Sequence, residues 1–184
     1  MTIALVGLGA NLPGRFAAPP AATLEAAIAA LALLPGLRLA ARSGLWESAA
    51  WPDPSGPRYV NAVAAMEGEA EPAALLCALH ALEGEEGRVR GAANAARPLD
   101  LDLLAIGSLV RASPDPLLPH PRLHQRAFVL APLAEILPGW RHPVLGTTAV
   151  ALLAALPPAD CHPLRQASLA CPAGCLHAPP RPSI

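Results

Sequence analysis

The chain has 184 residues, enough for one domain with a sizeable core and a short addition. Its net charge of −1 supplies no general field for nucleic acid or an anionic membrane. All 13 basic residues are arginine, so a P-loop kinase, which needs a lysine on its phosphates, is excluded.

Met1 to Val6 lacks a charged leader before its short apolar run, and no apolar stretch reaches the length of a membrane span. Ile3 to Leu8 reads as a first strand, ending in Gly7-Leu8-Gly9, where paired glycines suggest a tight turn at which the backbone comes close to something. Leu24, Ile28 and Leu31 recur at helical spacing within a helix over 23–34 that Pro35-Gly36 ends. Leu37 to Ser48 reads as one strand, followed by a loop over 49–57 rich in Pro and Gly. Arg58 to Glu67 is a third strand with Tyr59, Asn61 and Val63 on one face. Pro72 opens a second helix striped by Leu75, Leu79 and Leu82, which fades at Gly84 and Gly87. A loop from Arg88 to Ala96 leads into the next strand, and Ile106 to Val110 reads as a hairpin turn within continuing strands. Helices are expected over 125–136, with Pro132 as a possible kink, and over 148–156. The order β-α-β-β-α-β is that of an α+β, ferredoxin-like sandwich, with a mainly antiparallel sheet and helices packed on it.

The expected domain covers 1–156, and 157–184 is a Pro/Cys-rich extension expected to be poorly ordered. Cys161, His162, Cys171, Cys175 and His177 match no common zinc spacing. Neither do the four cysteines form the framework of a secreted scaffold, so a cytoplasmic protein is expected.

The chemistry centres on Arg97-Pro98-Leu99-Asp100-Leu101-Asp102-Leu103-Leu104. Strand alternation puts both aspartates on one face, where two close carboxylates repel and lose hydration. A divalent cation relieves both penalties, and magnesium suits such ligands when phosphates complete the shell. Two other readings stay open, a solvent-facing strand edge and a pair neutralised by arginines. Arg88, Arg90 and Arg97 flank the pair on one side, and Arg122 and Arg126 follow His120. Five arginines beside a magnesium-type motif favour a polyphosphate cargo. Tyr59, Phe128 and Asn61 could clamp a flat heterocycle and read its edge, with Trp46 and Trp51 as an apolar wall.

Gly7-Leu8-Gly9-Ala10-Asn11-Leu12, Tyr59-Val60-Asn61-Ala62, Glu83 with Gly87-Arg88-Val89-Arg90, the Asp-Leu-Asp strand, and Pro119-His120 followed by Arg126-Ala127-Phe128 stand in one order along the chain. In this the sequence resembles the 6-hydroxymethyl-7,8-dihydropterin pyrophosphokinases from about Ile3 to Leu156. That resemblance implies transfer of pyrophosphate from ATP to a pterin alcohol, releasing AMP, in folate biosynthesis. It implies two magnesium ions on Asp100 and Asp102, and ATP as co-substrate. Tyr59 and Phe128 would sandwich the pterin, with Asn61, Ser48 and Trp51 around its edge. Glu83, Arg88, Arg97, His120 and Arg126 would line the nucleotide, and Arg88, Arg90 and Arg97 with the aspartates would carry the transfer. Small-molecule partners and a monomer are implied, without nucleic acid or membrane. The chain departs from the family at Asn94-Ala95-Ala96, which replaces the usual Trp-Gly-Pro of the closing loop, and at Pro121. Two alternatives remain: another magnesium-dependent phosphoryl or nucleotidyl transferase, and a relative that binds pterin or nucleotide without turnover.

Overall fold

The computed structural model describes residues 2–16, 19–50, 54–88, 96–158 and 164–166, with Arg165 and Gln166 described by backbone alone. Six strands form one sheet: β1 (Thr2–Ala10), β2 (Leu37–Arg42), β3 (Trp46–Ser48), β4 (Tyr59–Gly68), β5 (Asp100–Ile106) and β6 (Arg165–Gln166). The order β5-β1-β4-β3-β6, with β2 also on β4, is antiparallel throughout. Strands β5, β1 and β4, with β2 and β3 sharing one edge of β4, give the ferredoxin-like arrangement expected from element order. Helices α1 (Pro20–Leu31) and α2 (Pro72–Glu85) cover one face; α3 (Ala127–Ile136) and α4 (Ala149–Ala154) cover the other. No helix among the described residues is long and apolar enough to cross a membrane.

Strand alternation divides the core between these two faces. Val6, Leu8, Leu101 and Leu103 meet Leu24, Ile28, Leu31, Leu75 and Leu79 beneath α1 and α2. Leu5, Val63, Ala65 and Leu104 meet Leu130, Leu133 and Leu152 beneath α3 and α4. This second face is apolar only over part of its length. Toward the other end of β1, β4 and β5 its positions are Gly7, Gly9, Asn61, Asp100 and Asp102, and the candidate site lies there.

Four expectations are corrected. Gly7 and Gly9 are not in a turn but inside β1, paired with β4 and β5 on either side. The strand expected over 37–48 is broken into β2 and β3 because Ser43 diverts the ladder. Its amide donates to the Val63 carbonyl (2.9 Å), but its Oγ, not its carbonyl, accepts from Val63 N (3.0 Å). The hairpin at Gly107 does not continue the sheet: beyond the turn, Arg111 forms only an isolated bridge to Leu118. The helix expected from Gln125 begins at Ala127, because Arg126 is extended (φ −116°, ψ 105°) after a 3-10 turn over Leu123–Gln125. Within the 157–184 extension, Arg165 and Gln166 pair with Glu47 and Trp46. The five Cys and His residues noted there lie outside the described residues.

Candidate functional site

The floor of the site is two rows of the sheet. Asp100, Gly9, Asn61 and Trp46 pair successively across β5, β1, β4 and β3, and Asp102, Gly7 and Val63 form the row two residues along. Gly9 leaves a gap between a carboxylate and an amide. A Cβ built there would lie 3.5 Å from Asn61 Oδ1, 3.9 Å from Asp100 Cβ and 3.9 Å from Tyr59 Cδ1.

The aspartates share a face, as strand alternation requires, and each is held by arginine. Asp100 Oδ1 accepts from Arg88 Nη1 (2.6 Å) and Arg97 Nη1 (2.9 Å), and Asp102 Oδ2 accepts from Arg126 Nη1 (3.1 Å). The arginine-neutralised pair, one of the readings left open above, is therefore the arrangement observed. It is compatible with metal binding. Among the described residues the second oxygen of each carboxylate has no hydrogen bond, and both side chains are about a third exposed or less, at 27% and 34%. No group of three or more metal-ligating side chains occurs among the described residues. A pair of carboxylates completed by phosphate and water is how magnesium is commonly held beside nucleotides, so the donor set fits that ion.

Glu83, on α2, is nearly fully buried, and its Oε1 accepts from Leu101 N (2.7 Å) and from Arg88 Nη1. Burial pushes its pKa up, against the lowering effects of the Leu101 amide and Arg88. Its carboxylate thus ties α2 to β5 between the two aspartates. Burial works to lower the pKa of Arg97, but the charge and hydrogen bond of Asp100 outweigh it and the net shift is upward. Arg126 is lowered by burial, with Asp102 opposing.

A bulge in β5 aims His120. Leu5 and Val6 pair with Ala105 and Leu103, leaving Leu104 over, and the Leu104 carbonyl accepts from His120 N (2.7 Å). Arg122 N donates to His120 Nδ1 (3.2 Å), so the neutral ring carries its proton on Nε2. Burial lowers this histidine's pKa, with Asp102 opposing and Arg126 and Arg122 adding to the fall. A cleft of about 270 Å³ joins Glu83, Arg88, Asp100, Asp102 and His120. It also touches Leu76, His80, Asp115 and Leu117, which have no motif to mark them in the sequence.

On the other side of Gly9, Asn61 Nδ2 donates to the Trp46 carbonyl (3.2 Å) and to Ser48 Oγ (3.0 Å). A carbonyl only accepts, which fixes the amide's orientation and leaves Oδ1 facing the gap. Ser48 is buried and serves first to hold Asn61. Tyr59 shares the face of Asn61. Phe128, on the first turn of α3, packs at the border of the core beneath α3, with the Arg126 guanidinium 5.5 Å from its ring centre. Trp51, Arg90 and residues 89–95 of the expected closing loop lie outside the described residues.

Three side chains that sequence reasoning left without a role support these groups. Asn11 is buried and bonds to both flanks: Oδ1 accepts from Arg97 N (2.8 Å), and Nδ2 donates to the Pro57 carbonyl (3.3 Å). Its place two residues after Gly9 was the signal available. Ser43 and Glu135 lie in segments that read as plain strand and plain helix, where nothing marks them.

Residues 5–138 match the family model described as 7,8-dihydro-6-hydroxymethylpterin-pyrophosphokinase (HPPK). A relative from Pseudomonas aeruginosa, named 2-amino-4-hydroxy-6-hydroxymethyldihydropteridine pyrophosphokinase, is 43% identical over 156 residues, covering 83% of this chain and 90% of its own. A relative of the same name from a Synechocystis strain is 37% identical over 150 residues, covering 82% and 74%. Among solved structures, wild-type HPPK-DHPS from Plasmodium falciparum with STZ-DHP superposes with a TM-score of 0.64 at 13% identity, a likeness of fold. The match covers 83% of this chain and 43% of that longer one.

Proposed function

The chain belongs to the 7,8-dihydro-6-hydroxymethylpterin-pyrophosphokinase family, and from that premise we propose how its residues transfer pyrophosphate from ATP to 6-hydroxymethyl-7,8-dihydropterin, releasing AMP, in folate biosynthesis. The observation that carries the assignment of residues is the row Asp100–Gly9–Asn61. It puts Asp100 and Asn61 on either side of a strand position with no side chain, which supports reading the first as the phosphate-side carboxylate and the second as the heterocycle-reading amide.

Asp100 and Asp102 would hold two magnesium ions, which supply charge neutralisation across the ATP phosphates. The arginines paired with these carboxylates would then turn to phosphate oxygens. Arg88 stays anchored through Glu83, and Arg97 stays anchored through its backbone on Asn11. His120 donates from Nε2 to a phosphate or ribose oxygen. The pterin lies between Tyr59 and Phe128, and its donor edge meets Asn61 Oδ1 beside Ser48. The pterin hydroxymethyl oxygen attacks the β-phosphorus; a new O–P bond forms, the bridge to the α-phosphate breaks, and AMP leaves with that oxygen. The hydroxyl proton passes to solvent. Rate enhancement comes from alignment and charge neutralisation, without a covalent enzyme intermediate. Arg90 and Trp51 complete the two halves in this reading. In this reading the chain acts on two small-molecule substrates as a monomer in the cytoplasm.

Incubation with ATP, magnesium and the pterin tests this. AMP with a pyrophosphorylated pterin is the expected product pair. ADP would favour simple phosphoryl transfer, and retained binding without product would favour a non-catalytic relative.

A further inference from the structure

Strand β3 carries Ser48 and the Trp46 carbonyl, the two groups that orient Asn61, yet it is only three residues long. Few ladder bonds secure a strand of that length, and the segment before it is irregular because Ser43 has diverted the β2 ladder. A long-range tether crosses this weak point. Glu135, near the end of α3, accepts from Gly44 N at Oε1 (2.8 Å) and from the indole Nε1 of Trp46 at Oε2 (2.8 Å). Each carboxylate oxygen takes one donor, and neither partner is local: they stand 91 and 89 residues away in sequence. Phe128 lies two helical turns before Glu135, so both project from the same side of α3. One helix therefore presents the proposed stacking ring at its start and grips the strand behind Asn61 near its end.

We propose that Glu135 is a positioning residue for the pterin half of the site. Its carboxylate sets the separation between the Phe128 ring on α3 and the Asn61 amide held by β3. It touches no substrate and acts through Trp46. This inference rests on the pterin reading above and adds to it the element that fixes the width of the slot. An acceptor-only group is required, because both partners are donors. Glutamine, with the same shape, turns its NH₂ toward one of them.

The test compares Glu135→Gln, Trp46→Phe and the double variant with the parent chain. Pterin affinity is read by pterin fluorescence with magnesium and a non-hydrolysable ATP analogue present, ATP KM by turnover, and Tm by scanning. Losing one hydrogen bond to a charged group predicts that Glu135→Gln weakens pterin binding roughly tenfold or more while ATP KM stays within error. Trp46→Phe should reproduce part of that loss, and the double variant should lose less than the product of the two single effects. Unchanged pterin affinity in Glu135→Gln overturns the proposal. So does a parallel rise in ATP KM with a lowered Tm, which would mark a general loss of packing. If the parent chain itself binds no pterin, the functional reading fails first; if the parent binds and both single variants bind equally well, only this inference fails.

Discussion

Replacing Gly9 by alanine should separate folding from function, and the geometry around it sets the size of each effect. The new Cβ would meet Asn61 Oδ1 at 3.5 Å and the carbons of Asp100 and Tyr59 at 3.9 Å, all ordinary van der Waals contacts. Gly9 does not have a positive φ, so alanine fits its backbone. Restricting the unfolded chain then stabilises the protein by about 0.4–1 kcal/mol. The same methyl fills the gap between the carboxylate and amide halves, where both substrates must approach the floor. Overfilling a matched space costs about 1–3 kcal/mol, which is roughly a five- to 150-fold fall in kcat/KM. Gly7→Ala is the control. Its Cβ would meet Leu104 Cδ1 at 3.3 Å, so the strain falls on a core side chain beside the site. The expected pattern is an unchanged or raised Tm with a large catalytic loss for Gly9→Ala, and a lowered Tm with a smaller catalytic loss for Gly7→Ala. Steady-state kinetics and thermal scans on the pair decide it. Full activity in Gly9→Ala would refute the reasoning, because the substrates then do not meet at that gap.

Asp100→Ala should lower kcat by roughly 10²–10³-fold, the usual scale for losing a charge-stabilising group, with pterin affinity measured by fluorescence nearly intact. Chelation by EDTA should abolish turnover and leave Tm almost unchanged, because Arg88, Arg97 and Arg126 already neutralise the two carboxylates. Acid should destabilise the fold through two histidines. Burial lowers the pKa of His120 and, with His124 beside it, that of His142, whose Nδ1 accepts from Val144 N and Leu145 N at 3.2 Å. The unfolded chain binds these protons more readily, so the stability they contribute is whole above the ordinary histidine value of about 6.5 and is lost as pH falls through their lower folded values. His142→Gln, which keeps a neutral acceptor for the two amides, should flatten part of the fall of Tm with acid; an identical slope would contradict the assignment.

How much of this was legible in the sequence depended on whether a signal was local. The Asp100–Asp102 strand, the Leu24–Ile28–Leu31 stripe and the common face of Tyr59 and Asn61 all follow from periodicity, and the structure keeps them. Gly7 and Gly9 were legible as points of close approach but not as strand interior, because a glycine pair punctuates turns and also clears space on a sheet. The break at Ser43 could not be read, since it depends on a hydroxyl competing with a carbonyl for Val63 N, 20 residues away. Glu135 could not be read either: on sequence it is one acidic residue on a helix, and its meaning comes from Gly44 and Trp46 across the fold. The pairing of Gln166 with Trp46 was hidden for the same reason, inside a stretch whose composition resembles a tail.

The most direct test of the account is the fate of the phosphates of ATP. With ATP labelled in its β-phosphate, magnesium and 6-hydroxymethyl-7,8-dihydropterin, the purified chain should put the label on the pterin and release unlabelled AMP in equal amount. Label retained in ADP, with only the γ-phosphate moved, would contradict the central claim that Asp100, Asp102 and their arginines present the β-phosphorus to the pterin alcohol.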